Sequence, residues 1–206
     1  MNKRIFTLSA ILLILIGASI FSLLNGAYHI PLDRFLEILS GNGSEAEKNV
    51  FWGMRFPRLL LALAVGGALS LAGVLLQAIF RNPLVEPYTI GISGGASFAV
   101  CITVSTGLAG IVGPFSVYAA GFIGAAAVIS FLYLLNLRGR INNINTLLLS
   151  GIMISFVFSS LIMLVLAFSK AEDAHGILFW LMGALDHSTI KLSASALLLS
   201  FICLCA

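Results

Sequence analysis

Residues 58–79 read RLLLALAVGGALSLAGVLLQAI, one arginine followed by 21 residues without a charged side chain. A membrane-spanning helix needs about 20 apolar residues. Working outward, comparable runs occupy 5–24, 114–135 and 146–168. A milder run rich in Gly, Ser and Thr covers 89–107, and a sixth begins near Leu192. Of 206 residues, 60% are hydrophobic and 9% charged, where a soluble domain carries roughly 25% charged residues. A water-soluble globular protein and a disordered chain are excluded. A net charge of +3 is too weak for a nucleic-acid footprint. The chain reads as an all-α integral membrane protein: a polytopic bundle of about five complete spans and an incomplete sixth at 192–206, in one transmembrane domain over 1–206. Its first partner is the lipid bilayer.

Lys3 and Arg4 precede the first run. A signal peptide starts similarly, but its apolar core is usually about 7–15 residues; this run is longer and more spans follow, so it is a retained helix. Residues 25–57 are polar and hold Asp33, Glu37, Glu45 and Glu47. Within them, Leu32, Phe35, Leu36 and Leu39 share one side of a helix over 30–39, expected to lie at the membrane surface. Gly41-Asn42-Gly43-Ser44 then breaks the chain. The N-terminal basic pair points to a cytoplasmic N-terminus. That orientation puts five basic residues inside and six outside, so charge alone leaves it open. The last ten residues hold no stop signal, and the chain reads as part of a longer one. Cys101, Cys203 and Cys205 sit in apolar runs without metal-ligand spacing; no metal or cofactor is expected.

Gly66, Ser70, Gly73 and Gln77 fall on one face of the second span. Small residues let membrane helices approach closely, so a packing stripe and the wall of a path both fit. Gln77 is harder to explain by packing, because a carboxamide near the end of a span needs a partner, a water-filled path or the interface. Gly151, Ser155 and Ser159 repeat the pattern. Arg55 and Arg58 flank Phe56-Pro57, where a proline suits a first helical turn. Two arginines there oppose the positive end of the helix dipole. They read either as anchors snorkelling to lipid phosphates or as a docking point for an acidic partner. Asn82 to Pro87 make a stiff extended turn, with Pro83 in it. Gly91-Ile-Ser93-Gly94-Gly95 suits a close backbone contact or a helix broken beside a polar cavity. The same residues fit G-x-S-x-G, so an intramembrane serine protease using Ser93, with His175 as the base, is the alternative. His29, His175 and His187 lack diagnostic metal spacing and read as surface residues.

Together, Arg55-Phe-Pro-Arg58, Gly73-x-x-x-Gln77, Arg81-Asn-Pro-Leu84, Pro87 and Gly91-x-Ser93-x-Gly95-Ala96 resemble the FecCD-type permeases of ABC importers for iron-siderophores, haem and cobalamin. Leu147-Leu-Leu-Ser-Gly151 and Trp180-Leu-Met-Gly183 resemble further motifs of that family. The resemblance implies a ten-helix subunit that forms a homo- or heterodimer in the cytoplasmic (inner) membrane, with its N-terminus cytoplasmic. It implies separate cytoplasmic ATPase subunits and an extracytoplasmic substrate-binding protein that docks on Arg55 and Arg58. Reversing both charges is then expected to weaken docking and leave folding intact. The translocation path or its packing involves Gly66, Ser70, Gly73, Gln77, Asn82, Pro83, Gly91, Ser93, Gly94 and Gly95. The cytoplasmic gate falls near Asn143, Asn145 and Thr146. The chain contains no G-x-x-x-x-G-K-[ST] phosphate loop, so it is expected to be a transporter subunit and not an enzyme.

Overall fold

A computed structural model describes residues 3–26, 30–113, 115–137, 144–185 and 188–205, without the side chains of Leu32 and Asp33. Among these residues all regular structure is helical. Four helices are long and apolar enough to cross a membrane: Lys3–Leu24, Glu45–Phe80, Phe115–Leu137 and Ile144–Phe168. In chain order the elements are α1 Lys3–Leu24, α2 Leu32–Leu39, α3 Glu45–Lys48, a π-helical stretch Asn49–Arg55 and α4 Phe56–Phe80. After a 3-10 turn, Pro87–Ile90, come α5 Ile92–Ser105, α6 Leu108–Val112, α7 Phe115–Leu137, α8 Ile144–Phe168, α9 Ala171–Met182 and α10 Ile190–Cys205. The chain forms two compact units, one of Met1–Ala68 with Leu185–Ala206 and the other of Leu69–Ala184.

In the first unit, α1 exposes Phe6, Leu13 and Ile14, as a helix surrounded by hydrocarbon should. Beyond its end, Ile30, Ile38 and Phe51 form a core with Leu23, Phe35 and Val50 packed around it. The helix that contains the second apolar run starts earlier than 58. Ser44 caps it: its Oγ accepts from the Glu47 amide at 3.3 Å, while the Glu47 carboxylate accepts from the Ser44 amide at 2.9 Å. This reciprocal pair satisfies two orphan amides of a first turn. Arg55 and Arg58 therefore lie well inside the helix, and the dipole argument against them does not apply. Pro57 is an interior proline, buried and without an N–H. Its ring would collide with the carbonyl four residues back in a regular α-helix. The chain answers with the π stretch before it, where the Phe56 amide reaches back to the Phe51 carbonyl. Ser44→Ala is expected to lower stability by about 1 kcal/mol, the usual worth of a serine cap, read as a lower thermal midpoint in detergent.

In the second unit, α5 is the interior helix and packs against α7, α8 and α9. Gly95, Val100, Cys101 and Thr103 on it are buried. One core joins Phe80, Val85, Ile90, Val128 and Leu132; another joins Cys101, Ile162 and Ile177. The run at 89–107 is thus shorter as a helix than its hydropathy suggests. Its 14 residues rise only about 21 Å, bounded by the left-handed glycines Gly91 (φ 80°) and Gly107 (φ 72°). The stretch that begins with Lys170, Glu172, Asp173 and His175 is mostly helix α9. Its two acids occupy the first turn, where the dipole favours them.

Candidate functional site

The turn from α4 to α5 is built locally. Arg81 takes a left-handed φ of 47°, a position usually given to glycine. Its amide donates to the Ala78 carbonyl at 3.4 Å and the Asn82 amide to Gln77 at 3.2 Å, the paired bonds that close a helix. The Asn82 side-chain oxygen then accepts from the Leu84 amide at 3.0 Å. Pro83 follows the helix end, where its missing N–H costs nothing. Val85 drops into the core while Leu84 stands 85% exposed. Thr89 Oγ1 donates to the Glu86 carbonyl at 2.7 Å, closing the 3-10 turn that delivers the chain to Gly91.

From Gly91 onward glycines set the spacing of three helices. A Cβ on Gly91 would lie 2.9 Å from the Gly151 carbonyl oxygen, and one on Gly151 would lie 2.8 Å from the Ile90 Cα. A Cβ on Gly94 would lie 3.1 Å from Phe158 Cβ, and one on Gly95 2.8 Å from the Gly124 carbonyl oxygen. Of the two readings of this run, the structure contains the close backbone contact; no polar cavity lies beside these glycines among the described residues. Gly91 turns the chain from the 3-10 turn into α5, and the contacts run to α7 and α8. The small residues of α4 behave differently. A methyl group added at Gly66 or Gly73 would have nothing within 4 Å, and Ser70 and Gln77 are exposed. No segment crowds either glycine among the described residues.

Arg55 has a partner that its sequence context did not suggest. Its Nη1 donates to the carbonyls of Leu23 at 2.7 Å and Leu24 at 3.0 Å, capping the C-terminus of α1. Arg58 is exposed, one turn further along α4. Asn145 and Thr146 are exposed in the first turn of α8, where the Thr146 carbonyl accepts from Ser150 Oγ at 2.7 Å. Asn143, Arg138, Arg140, His29, Asp186 and His187 lie outside the described residues. At the far end of α5 from Gly91, a cavity of about 600 Å³ is lined by Ser105, Thr106, Lys170 and Asp173 with apolar neighbours. No motif or spacing in the chain points to it.

The protease alternative does not survive this geometry. Ser93 is at the start of α5, whereas α9 meets α5 through the core around Cys101 and Ile177. Cys101 is eight residues from Ser93, about 12 Å along a helix. The His175 ring instead packs edge-on against Phe179 at 4.6 Å, and no hydrogen bond joins Ser93 to a histidine among the described residues. A histidine base must come within hydrogen-bond reach of its serine.

Long apolar helices, a buried short helix held by glycines and a proline-rich turn define a multi-pass helical membrane protein. The chain belongs to the FecCD transport family, whose model matches residues 12–206. It is 31% identical over 197 residues to a Methanocaldococcus jannaschii protein provisionally named an ABC transporter permease, covering 91% of this chain and 56% of that protein. It is 35% identical over 179 residues to the molybdate import system permease MolB of Haemophilus influenzae, covering 84% and 52% respectively. With the vitamin B12 import system permease BtuC of Pectobacterium atrosepticum it shares 34% over 160 residues, covering 75% and 47%. A solved inward-facing ABC transporter, provisionally described as metal-chelate type, superposes with a TM-score of 0.72 at 27% identity, covering 95% of this chain and 57% of that one. The chain thus spans about half the length of the curated relatives it matches.

Proposed function

We propose that the chain serves as membrane-spanning permease in an ATP-binding-cassette importer that works by alternating access. The observation that carries this reading is the family match across residues 12–206. The chain supplies spans but no phosphate loop, so two separate cytoplasmic ATPase subunits drive it. A second permease subunit completes the path, and an extracytoplasmic binding protein delivers the ligand. The protein sits in the cytoplasmic membrane with its N-terminus inside. The relatives' names point to metal-bearing ligands, from molybdate to vitamin B12 and a metal chelate. We assign an iron-siderophore complex to this protein, with haem and cobalamin as the ligands nearest to it in kind. Gly66, Ser70, Gly73 and Gln77 suit the wall of the path, since open space flanks the two glycines. Asn145 and Thr146, with Asn143 before them, suit the cytoplasmic gate.

The test is uptake by the reconstituted complex in vesicles, with iron-siderophore, cobalamin and molybdate offered in parallel. ATP-dependent accumulation of the iron complex supports the assignment. Accumulation of cobalamin or molybdate alone rejects the siderophore and keeps the importer. ATP turnover with a docked binding protein and no accumulation of any metal ligand rejects both. Docking is assigned to Arg55 and Arg58, with Arg58 the more open of the two. Arg58→Glu is expected to weaken binding-protein affinity at least about tenfold, the loss of one charge-assisted contact. Equal affinity in a titration would remove Arg58 from the docking surface.

A further inference from the structure

We propose that α2 and Trp52 form a lipid-contacting anchor, with Leu36 and Leu39 seated in the boundary between headgroups and acyl chains at the end of α1. This goes beyond the transport reading and does not depend on it.

The depth follows from α1. Residues 5–24 rise about 30 Å, the thickness of the hydrocarbon layer, with Lys3 and Arg4 marking one boundary. Leu24 therefore marks the other. The Ile30 amide donates to the Leu24 carbonyl at 3.1 Å, and α2 starts two residues later. Arg55 reaches Leu23 and Leu24 from the other side. Both α2 and the π stretch are thereby tied to the level where hydrocarbon gives way to headgroups.

At that level α2 shows three sides. Ile38, 1% exposed, turns inward on Phe51 with Phe35 beside it. Arg34 and Glu37 pair at 2.9 Å on an exposed polar side. Leu36 and Leu39 occupy a third side and remain 61% and 50% exposed. An apolar side left open next to a charged one is the pattern of a helix lying in a membrane interface. Trp52 is a second, independent sign. Its ring packs on Phe51 at 4.9 Å and Phe56 at 5.0 Å, yet its indole N–H donates to no acceptor among the described residues. An indole with an apolar body and a free polar tip is suited to headgroup depth.

Single-tryptophan variants of the complete protein, reconstituted in phosphatidylcholine vesicles, test this. The lipids carry bromines either near the glycerol end of the acyl chain or near its tip. Native Trp52 and a tryptophan in Leu36→Trp are expected to be quenched at least about twofold more by the shallow bromines than by the deep ones, as interfacial groups are. A tryptophan in Glu37→Trp should be quenched by neither. Trp52 needs no change in α2, so a folding defect in the α2 variants leaves a readout. Absence of quenching at Trp52, or equal quenching of the two α2 variants, overturns the proposal; a patch covered by another protein would give that result.

Discussion

Replacing Gly95 with valine is expected to prevent the second unit from assembling. Gly95 and Gly124 face each other across the crossing of α5 and α7, and a Cβ on Gly95 would meet a backbone carbonyl at 2.8 Å. Backbone oxygen cannot rotate away as a side chain can. The helices must separate instead, and α5 loses contact with its neighbours along its buried face. Overpacking of a core typically costs about 1–3 kcal/mol for added methylenes, and here the obstacle is backbone, so the upper end or more is expected. Gly124→Val attacks the same crossing from α7. Gly73→Ala is the control, because its new methyl meets open space and alanine favours helix by about 1 kcal/mol over glycine. Size-exclusion profiles of detergent-solubilised protein after heating would decide. A Gly95→Val midpoint equal to wild type would mean that the two helices can part at little cost.

Arg55→Ala is expected to lower the stability of the first unit by about 2 kcal/mol, within the usual range for hydrogen bonds to a charged group. The guanidinium satisfies two terminal carbonyls of α1, and a cation at a helix C-terminus also answers the dipole. Arg55→Lys should recover part of the loss, since it keeps the charge but not the planar fork. Charge reversal at Arg55 and Arg58 together is therefore expected to lower stability as well as docking. The two arginines separate experimentally: Arg55→Ala should shift the thermal midpoint, while Arg58→Glu should shift binding-protein affinity. An unshifted midpoint for Arg55→Ala would return that residue to a purely external role.

The long helices are legible because their apolar runs exceed what a soluble chain tolerates, and α2 because its leucines repeat at helical spacing. The start of the second long helix is obscured by Pro57, which looks like a first-turn proline. The signal that corrects it is present in Ser44-x-x-Glu47, a capping box thirteen residues earlier. The beginning of α9 reads as loop because its charges cluster, although acids in a first turn followed by Ile177 and Trp180 mark a helix. The glycines at 91–95 announce a close approach, but not which helix approaches. Gly124 and Gly151 become their counterparts only through tertiary packing, and α7 offers no pattern that singles out Gly124. Arg55 stands out for its charge. Its bond to α1 joins residues 31 and 32 positions apart, which no local pattern encodes.

The shortness of α5 bears on how the protein is made. With about 21 Å of rise and three of its first four residues glycine or serine, this segment gains little by entering lipid unaided. The gaps that receive it are formed by α7 and α8, which are synthesised after it. The buried face of α5 is therefore covered only once those later neighbours are in place. Its place in the membrane rests on those neighbours as well as on its own hydrophobicity.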